Sequence, residues 1–366
     1  MSKLKVIQLL PELNVGGVER GTKDLSKVLV QDGHESIVIS NGGIYEKDII
    51  GHGGKHIRLP IHKKSIFSFL ISKKLRNIYE LEKPDIVHVR SRMPAWINYF
   101  AYKELNNKPV LISTFHGLYS TPIYSKVMSK VDHMIAISDT VKEYIVNTYN
   151  VPENKITKIP RGCDSKVFNK EVLSEKWLSS WYDEHPQTEN KTILTIPTRI
   201  SKWKGVDRFV ELISLLDNDN YHGLIVGPAA KSKQKYLEEL ENKVSLLGLK
   251  DKVTFTGPRS DIANIYKLSD IVFNLSLKPE PFGRTTIEAI SCGSKVSGWN
   301  HGGTKEILEK LYPEGLVELN DVDKLKETVL KISSKKYRYP NDNIFTAEKM
   351  IKKTIDLYYQ LTKTEL

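Results

Sequence analysis

The chain has 366 residues, 27% of them charged and 40% hydrophobic, with a formal net charge of +11. That length exceeds a single core and predicts two domains, and the ordinary Gly and Pro contents, without repeats or low-complexity tracts, exclude disordered and solenoid classes. Its two cysteines, Cys163 and Cys292, have no metal-ligand or CxxC spacing and read as small buried side chains.

The first segment, M-S-K-L-K-V-I-Q-L-L-P, carries an apolar run of about six residues, too short for a signal-peptide core, and predicts a strand over 5–10. Further short apolar runs predict strands over 36–40, 86–89, 110–114, 133–137 and 156–159, most of them separated by amphipathic stretches. A polar, Trp-rich stretch over 170–190 interrupts the pattern. A second set follows over 192–197, 223–226, 253–256, 271–274 and 295–297, and a final helix spans about 346–362. Strands alternating with helices make an α/β chain of two Rossmann-like, doubly wound units. Ligands of such sheets bind beyond the carboxyl ends of the strands, which puts the expected site in a cleft between two facing units.

The charge is uneven. Residues 1–162 hold 24 Lys and Arg against 15 Asp and Glu, leaving 31 against 29 for the rest. A basic first half fits a polyanionic partner: nucleic acid, an anionic membrane face or an acidic acceptor. Residues 63–78, K-K-S-I-F-S-F-L-I-S-K-K-L-R-N-I, set apolar residues beside Lys63, Lys64, Lys73, Lys74 and Arg76, so this segment either packs on the sheet or rests on an anionic leaflet. No stretch approaches the roughly 20 apolar residues of a bilayer span, and a cytoplasmic protein is expected, peripheral on the inner face of the inner membrane.

Chemistry-bearing residues collect at the strand ends. After the first strand, P-E-L-N-V-G-G-V-E-R places Gly16 and Gly17 before a helix without the G-x-G-x-x-G dinucleotide fingerprint. The segment D-I-V-H-V-R-S-R puts Arg90 and Arg92 on a loop, as planar forks for carboxylates or phosphates. T-F-H-G ends the fourth predicted strand with His116, and T-R-I-S-K-W-K-G puts Arg199 and Lys204 after the first strand of the second unit.

Residues 280–306 are the most informative: E-P-F-G-R-T-T-I-E-A-I-S-C-G-S-K-V-S-G-W-N-H-G-G-T-K-E. Phe282 and Gly283 form a turn before a helix starting at Arg284 or Thr285. A helix N-terminus has unpaired amides and a positive dipole end, so the turn cradles an anion. Glu280 precedes the helix beside that anion, and Glu288, one turn in, reaches outward toward hydroxyls such as those of a ribose.

This pattern resembles the donor site of retaining family 4 glycosyltransferases of the GT-B fold, and the resemblance covers essentially the whole chain. It implies that Glu280, His116, Arg199 and Lys204 are catalytic. Glu280 holds sugar hydroxyls and stabilises positive charge, Arg199 and Lys204 stabilise the departing phosphate, and His116 orients the donor sugar. It further implies donor contacts at Gly16, Gly17, Gly227, Pro258, Arg259, Phe282, Gly283, Arg284, Thr285 and Glu288, the base being read near Gly227 and 258–260 largely through backbone. Arg284 and Thr285 stand where many relatives carry aliphatic residues.

The segment over 85–96 is similar to a bacterial subgroup that glycosylates the lipopolysaccharide inner core, whose acceptor sugar Kdo carries a carboxylate. By that resemblance Arg90 and Arg92 bind acceptor, and the reaction moves a hexose, mannose from GDP-mannose, to a lipopolysaccharide core or other lipid-linked glycan. A UDP-glucose or UDP-hexose donor is the alternative. No metal site and no cofactor are expected, only a nucleotide diphosphate sugar as co-substrate, and there is no D-x-D motif. The expected domains are 1–168 with 346–366 on the acceptor side and 169–345 on the donor side. A sugar-nucleotide epimerase on the same fold is a rival class, and a nucleic-acid-binding protein is suggested by charge alone, with no recognition motif behind it.

Overall fold

The computed structural model describes residues 3–63, 68–216, 219–334 and 344–363. The chain forms two compact units, Met1–Arg161 with Ala347–Leu366, and Gly162–Thr346.

The first unit is built on a parallel seven-stranded sheet: β1 (Lys5–Leu9), β2 (Glu35–Ser40), β3 (Lys55–Arg58), β4 (Ile86–Val89), β5 (Val110–Phe115), β6 (His133–Ala136) and β7 (Ile156–Lys158), in the order β3-β2-β1-β4-β5-β6-β7. The second has six parallel strands: β8 (Thr192–Pro197), β9 (Tyr221–Val226), β10 (Val253–Gly257), β11 (Ile271–Asn274), β12 (Lys295–Trp299) and β13 (Leu316–Val317), in the order β10-β9-β8-β11-β12-β13. Every residue of β4, β5, β6, β9 and β11 is buried. Parallel strands covered by helices on both faces read as continuous apolar runs, which is the pattern in the sequence.

In each sheet the strand order reverses once, between β1 and β4 and between β8 and β11. That reversal opens a crevice at the carboxyl ends, where doubly wound folds bind ligands. Gly16, Arg90 and Arg92 follow β1 and β4, and Arg199, Lys204 and Glu280 follow β8 and β11. Fold topology therefore brings these residues of each unit to its own switch point, whereas His116 follows β5, Gly227 follows β9, and Pro258 and Arg259 follow β10.

The helix Ala347–Lys363 belongs to the first unit: Ile351, Ile355, Leu357 and Tyr358 pack with Leu4, Val6, Leu25, Leu29, Ile86 and Ile112. Each such buried aliphatic side chain is worth about 1.5–3 kcal/mol relative to exposure. The 170–190 stretch is more than a polar break. It contains the helix Glu175–Glu184, whose Trp181 is buried against Ile193, Leu224 and Ile265 and stacks on Trp177 at 5.5 Å. Two strands escaped the sequence reading. β3, K-H-I-R, is an edge strand without an apolar run, and β13 has two residues; β3 makes the strand before His116 the fifth.

In the basic segment, Lys64, Ile66 and Phe67 lie outside the described residues. The helix Ser68–Glu82 buries Leu75 and Tyr79, leaves Lys73 and Lys74 exposed, and leaves Leu70 54% exposed. Tyr79 donates to Asn98 Oδ1 at 2.6 Å, fastening this helix to Arg92–Lys103. Both cysteines are buried, and burial pushes the Cys292 thiol up to about 12. Among the described residues no helix is long and apolar enough to cross a membrane.

Candidate active site

In the second unit the structure joins two residues that lie 76 positions apart. The Lys204 ammonium pairs with Glu280 Oε1, both side chains being largely buried, and Ser276 Oγ donates to the same oxygen at 2.7 Å. Lys204 ends a short 3-10 turn, Lys202–Lys204, and its ammonium lies 4.2 Å from the Trp203 ring centre. Leu277 N–H donates to Trp203 O at 2.7 Å, tying the loop after β8 to the loop after β11. A cation and a carboxylate are thereby fixed at the switch point. Among the described residues no side chain pairs with Arg199, which stands exposed at the end of β8.

The turn behind Glu280 is held from below. Gly303 N–H donates to Glu280 O at 2.7 Å, and a Cβ on Gly303 would lie 2.4 Å from Phe282 Cα. The second glycine pair therefore lets the helix Gly302–Leu311 abut the Glu280 turn; its role is close backbone approach. Gly283 has φ +92°, a left-handed conformation at the N-cap of the helix Arg284–Cys292, with no side-chain cap. The amides of Arg284 and Thr285 at the start of that helix are thus open to an anion, while Thr286 N–H already donates to Gly283 O at 3.1 Å. Phe282 is buried edge-on to Phe345 at 5.6 Å, and Thr285 is half-buried.

Glu288 differs from expectation. It does not reach outward: it is 7% exposed, accepts from Arg284 Nη2 at 2.8 Å through Oε1, and receives Tyr266 Oη–H at 3.4 Å on Oε2. Burial raises the Tyr266 hydroxyl well above its ordinary value, and the nearby Glu288 charge adds to this. Tyr266 thus stays a neutral donor. Arg284, the departure from the family pattern, is the exposed partner of this carboxylate.

The side chain of Arg259 is committed elsewhere. It makes a two-pronged pair with Asp261, both contacts at 2.9 Å, reaches Glu184 and lies over the Trp181 ring. Its hydrogen bonds hold the Asp261 carboxyl below its ordinary range. Pro258 is exposed beside it. Gly227 is a crossing point, since a Cβ there would lie 2.1 Å from Thr198 O.

In the first unit, Gly16 precedes the helix Gly17–Gln31 in extended backbone, and the Glu19 carboxylate folds over it, close to where a Gly16 Cβ would stand. A phosphate there requires Glu19 to swing aside. Arg90 is not on an exposed loop: it is 8% exposed, and its Nε donates to Gln8 Oε1 at 3.0 Å. Burial lowers its pKa, partly offset by Tyr358. Arg92 opens the helix Arg92–Lys103, donating to Thr121 Oγ1 at 3.0 Å and lying over Tyr119 and Tyr124 at 4.9 and 5.6 Å. The two arginines are thus separated, one buried with neutral partners and one clasped between rings.

His116 follows β5 and is half-buried. Its Nδ1 lies 2.8 Å from Arg161 Nη2, and its Nε2 is buried without a hydrogen-bond partner among the described residues. Burial, then the charges of Arg161 and Arg90, drive its pKa well below the ordinary value. Two residues before it, Thr114 meets His88 Nε2 at 2.6 Å, and His88 Nδ1 meets Tyr358 Oη at 2.5 Å. Sequence reasoning missed Arg161, His88, Ser276 and Tyr266. Arg161 alone carried a signal, a cation just past the end of a parallel strand. Among the described residues no three or more His, Cys, Asp or Glu side chains are grouped to hold a metal ion.

Residues 15–167 match the family Glycosyltransferase Family 4, and residues 180–354 match Glycosyl transferases group 1. A solved glycosyltransferase from Rickettsia africae ESF-5 is 30% identical, with 99% of this chain and 100% of that chain covered and a TM-score of 0.84. The UDP-Gal:alpha-D-GlcNAc-diphosphoundecaprenol alpha-1,3-galactosyltransferase of Escherichia coli is 26% identical over 98% of both chains. HepE of Anabaena, solved with UDP and glucose, shares the fold at a TM-score of 0.74 and 19% identity, with 99% of each chain covered. Two doubly wound sheets and these matches together make the chain a glycosyltransferase of the GT-B fold, its first unit of the family 4 type and its second of the group 1 type.

Proposed function

We propose that the enzyme transfers a hexose from a nucleoside diphosphate sugar to a lipid-linked glycan with retention at the anomeric carbon. The observation that carries this reading is the Lys204–Glu280 pair beside the open helix start at Gly283. The leaving diphosphate gains negative charge as the glycosidic bond breaks, and fixed cations at that point lower the barrier; one positioned donor is worth roughly 2.7–4 kcal/mol in other enzymes. Lys204 and Arg199 fill that role, with the amides of Arg284 and Thr285. Glu280 holds sugar hydroxyls and faces the positive charge that grows at the anomeric carbon. Glu288 takes the ribose hydroxyls by exchanging Arg284 or Tyr266 for them. His116 of the first unit orients the sugar, and no metal is required.

The donor reading is UDP-hexose, supported by the UDP-galactose in the name of the E. coli relative. That name also supports a diphosphoprenol-linked acceptor over a free sugar. GDP-mannose is the second reading, supported by the likeness of 85–96 to lipopolysaccharide inner-core enzymes. Arg90 and Arg92 serve an anionic acceptor, and exposed Lys63, Lys73 and Lys74 with Leu70 bring a membrane-borne one near. Thermal stabilisation by UDP, GDP and ADP tests the donor: one nucleotide should raise Tm well above the others. Transfer from the matching sugar to a diphosphoprenol-linked acceptor, with the product anomer read by NMR, tests the rest. No stabilisation by any of the three nucleotides would overturn the reading.

A further inference from the structure

We propose that Arg161 is a positioning residue that fixes the tautomer of His116, so that His116 meets its ligand only as a neutral Nε2–H donor. This rests on the glycosyltransferase reading of the site for its ligand, a sugar oxygen, but its geometry lies wholly within the first unit. Arg161 Nη2 is 2.8 Å from His116 Nδ1, and a guanidinium has donors only. Nδ1 must therefore accept, which places the single ring proton on Nε2. That nitrogen is buried and has no hydrogen-bond partner among the described residues. An orphaned buried donor is costly, and it points to an acceptor supplied from outside the chain.

The groups acting on the ring keep it in this form. Arg161 follows β7, Arg90 and His88 belong to the end of β4, and Tyr119 lies in the loop that follows His116 itself, its Oη 3.4 Å from the His116 amide. The two guanidiniums oppose a charge on the imidazole, as does its burial, and His88 is itself driven neutral by burial. His116 is thereby excluded as a general base at Nδ1 and as an imidazolium. What remains is one N–H aimed at an oxygen. The chemical partner that fits is a hydroxyl or other neutral oxygen of the sugar.

The test is nitrogen NMR of histidine-labelled protein, with the His116 signals assigned by their loss in His116→Gln. Native protein should show an unprotonated Nδ1 and a protonated Nε2 at pH 8 and still at pH 6.5, where an ordinary imidazole is half charged. Arg161→Met, which removes the donor without shortening the side chain greatly, should give a mixture of tautomers and a ring that begins to charge at a higher pH than in the native protein. Arg161→Lys restores a donor and a charge and should restore the native pattern. In transfer assays Arg161→Met should lower kcat by about tenfold, the value of one hydrogen bond, add an acid limb to the pH profile, and leave nucleoside diphosphate binding unchanged. A native ring that carries its proton on Nδ1, or is charged at pH 7, overturns the proposal. So does an Arg161→Met spectrum identical to native. Because the spectra need no turnover, a missing transfer activity with the expected spectra would count against the substrate reading alone.

Discussion

Replacing Gly303 with Ala probes the active site from behind, without touching any group proposed to meet substrate. The added methyl would stand 2.4 Å from both Phe282 Cα and Phe282 O, and 2.5 Å from its carbonyl carbon. All three are backbone atoms, so no side chain can turn away. Ordinary contact begins near 3.4 Å, so the Glu280–Phe282 turn and the helix Gly302–Leu311 must part by about 1 Å. That movement strains the bond from Gly303 N–H to Glu280 O and shifts Glu280 away from Lys204 and Ser276. Overpacking of this kind costs about 1–3 kcal/mol, which for a unit of this size is a Tm decrease of roughly 2–12 °C. Misplacing a catalytic group by about 1 Å can cost on the order of 100-fold in rate. Calorimetry beside a transfer assay measures both, with Gly51→Ala as the control, since a Cβ on Gly51 meets nothing within 4 Å. Native Tm and native kcat in Gly303→Ala would refute the claim that this glycine holds the Glu280 turn.

Glu280→Gln keeps acceptors for Lys204 and Ser276 but removes the charge, so transfer should fall by about 10²–10³-fold while free nucleoside diphosphate binds as before; near-normal turnover would remove Glu280 from catalysis. Glu288→Ala should weaken nucleotide binding by about 1.5–3 kcal/mol, and titration calorimetry should then find the ribo- and 2′,3′-dideoxynucleotides bound alike. A variant that still tells the two apart as well as native does would show that Glu288 is not the ribose reader. Burial lowers His222, which faces Thr254 Oγ1 at 2.8 Å, from 6.5 to about 4. The folded pKa lies below the unfolded one, so the unfolded chain takes up the proton first: stability from this group is complete above pH 6.5 and is lost as pH falls toward 4. The loss is on the order of 3 kcal/mol. Denaturant titrations of native protein and His222→Gln between pH 7 and 4 should show the variant with the shallower slope; equal slopes would contradict the assignment.

The strands were legible because burial on both faces leaves a local mark, a short apolar run, as in the V-L-I that opens β5 or the I-V-F that opens β11. β3 left none, because an edge strand reading K-H-I-R is half solvated, and β13 is too short to form a pattern. The helix start at Arg284 was legible for a similar reason: Gly283 must adopt a left-handed conformation there, and glycine is the residue that does so freely. What stayed hidden was every polar partnership made across the fold. Lys204 meets Glu280 across 76 residues, Arg90 meets Gln8 across 82, and His88 meets Tyr358 across 270. No local window contains both members of such a pair, so the sequence shows a charged residue without showing whether it is free, paired or buried. That is why Arg90 reads as a surface fork and is a buried cation, and why Glu288 reads as reaching outward and is held by Arg284 and Tyr266. Conversely, a residue's position at a strand's carboxyl end is legible, and both sheets reverse their order where those ends carry the chemistry. Position thus follows from the apolar pattern and topology, whereas protonation and pairing follow from long-range contacts. The tautomer of His116, set by a residue 45 positions away, belongs to the second kind.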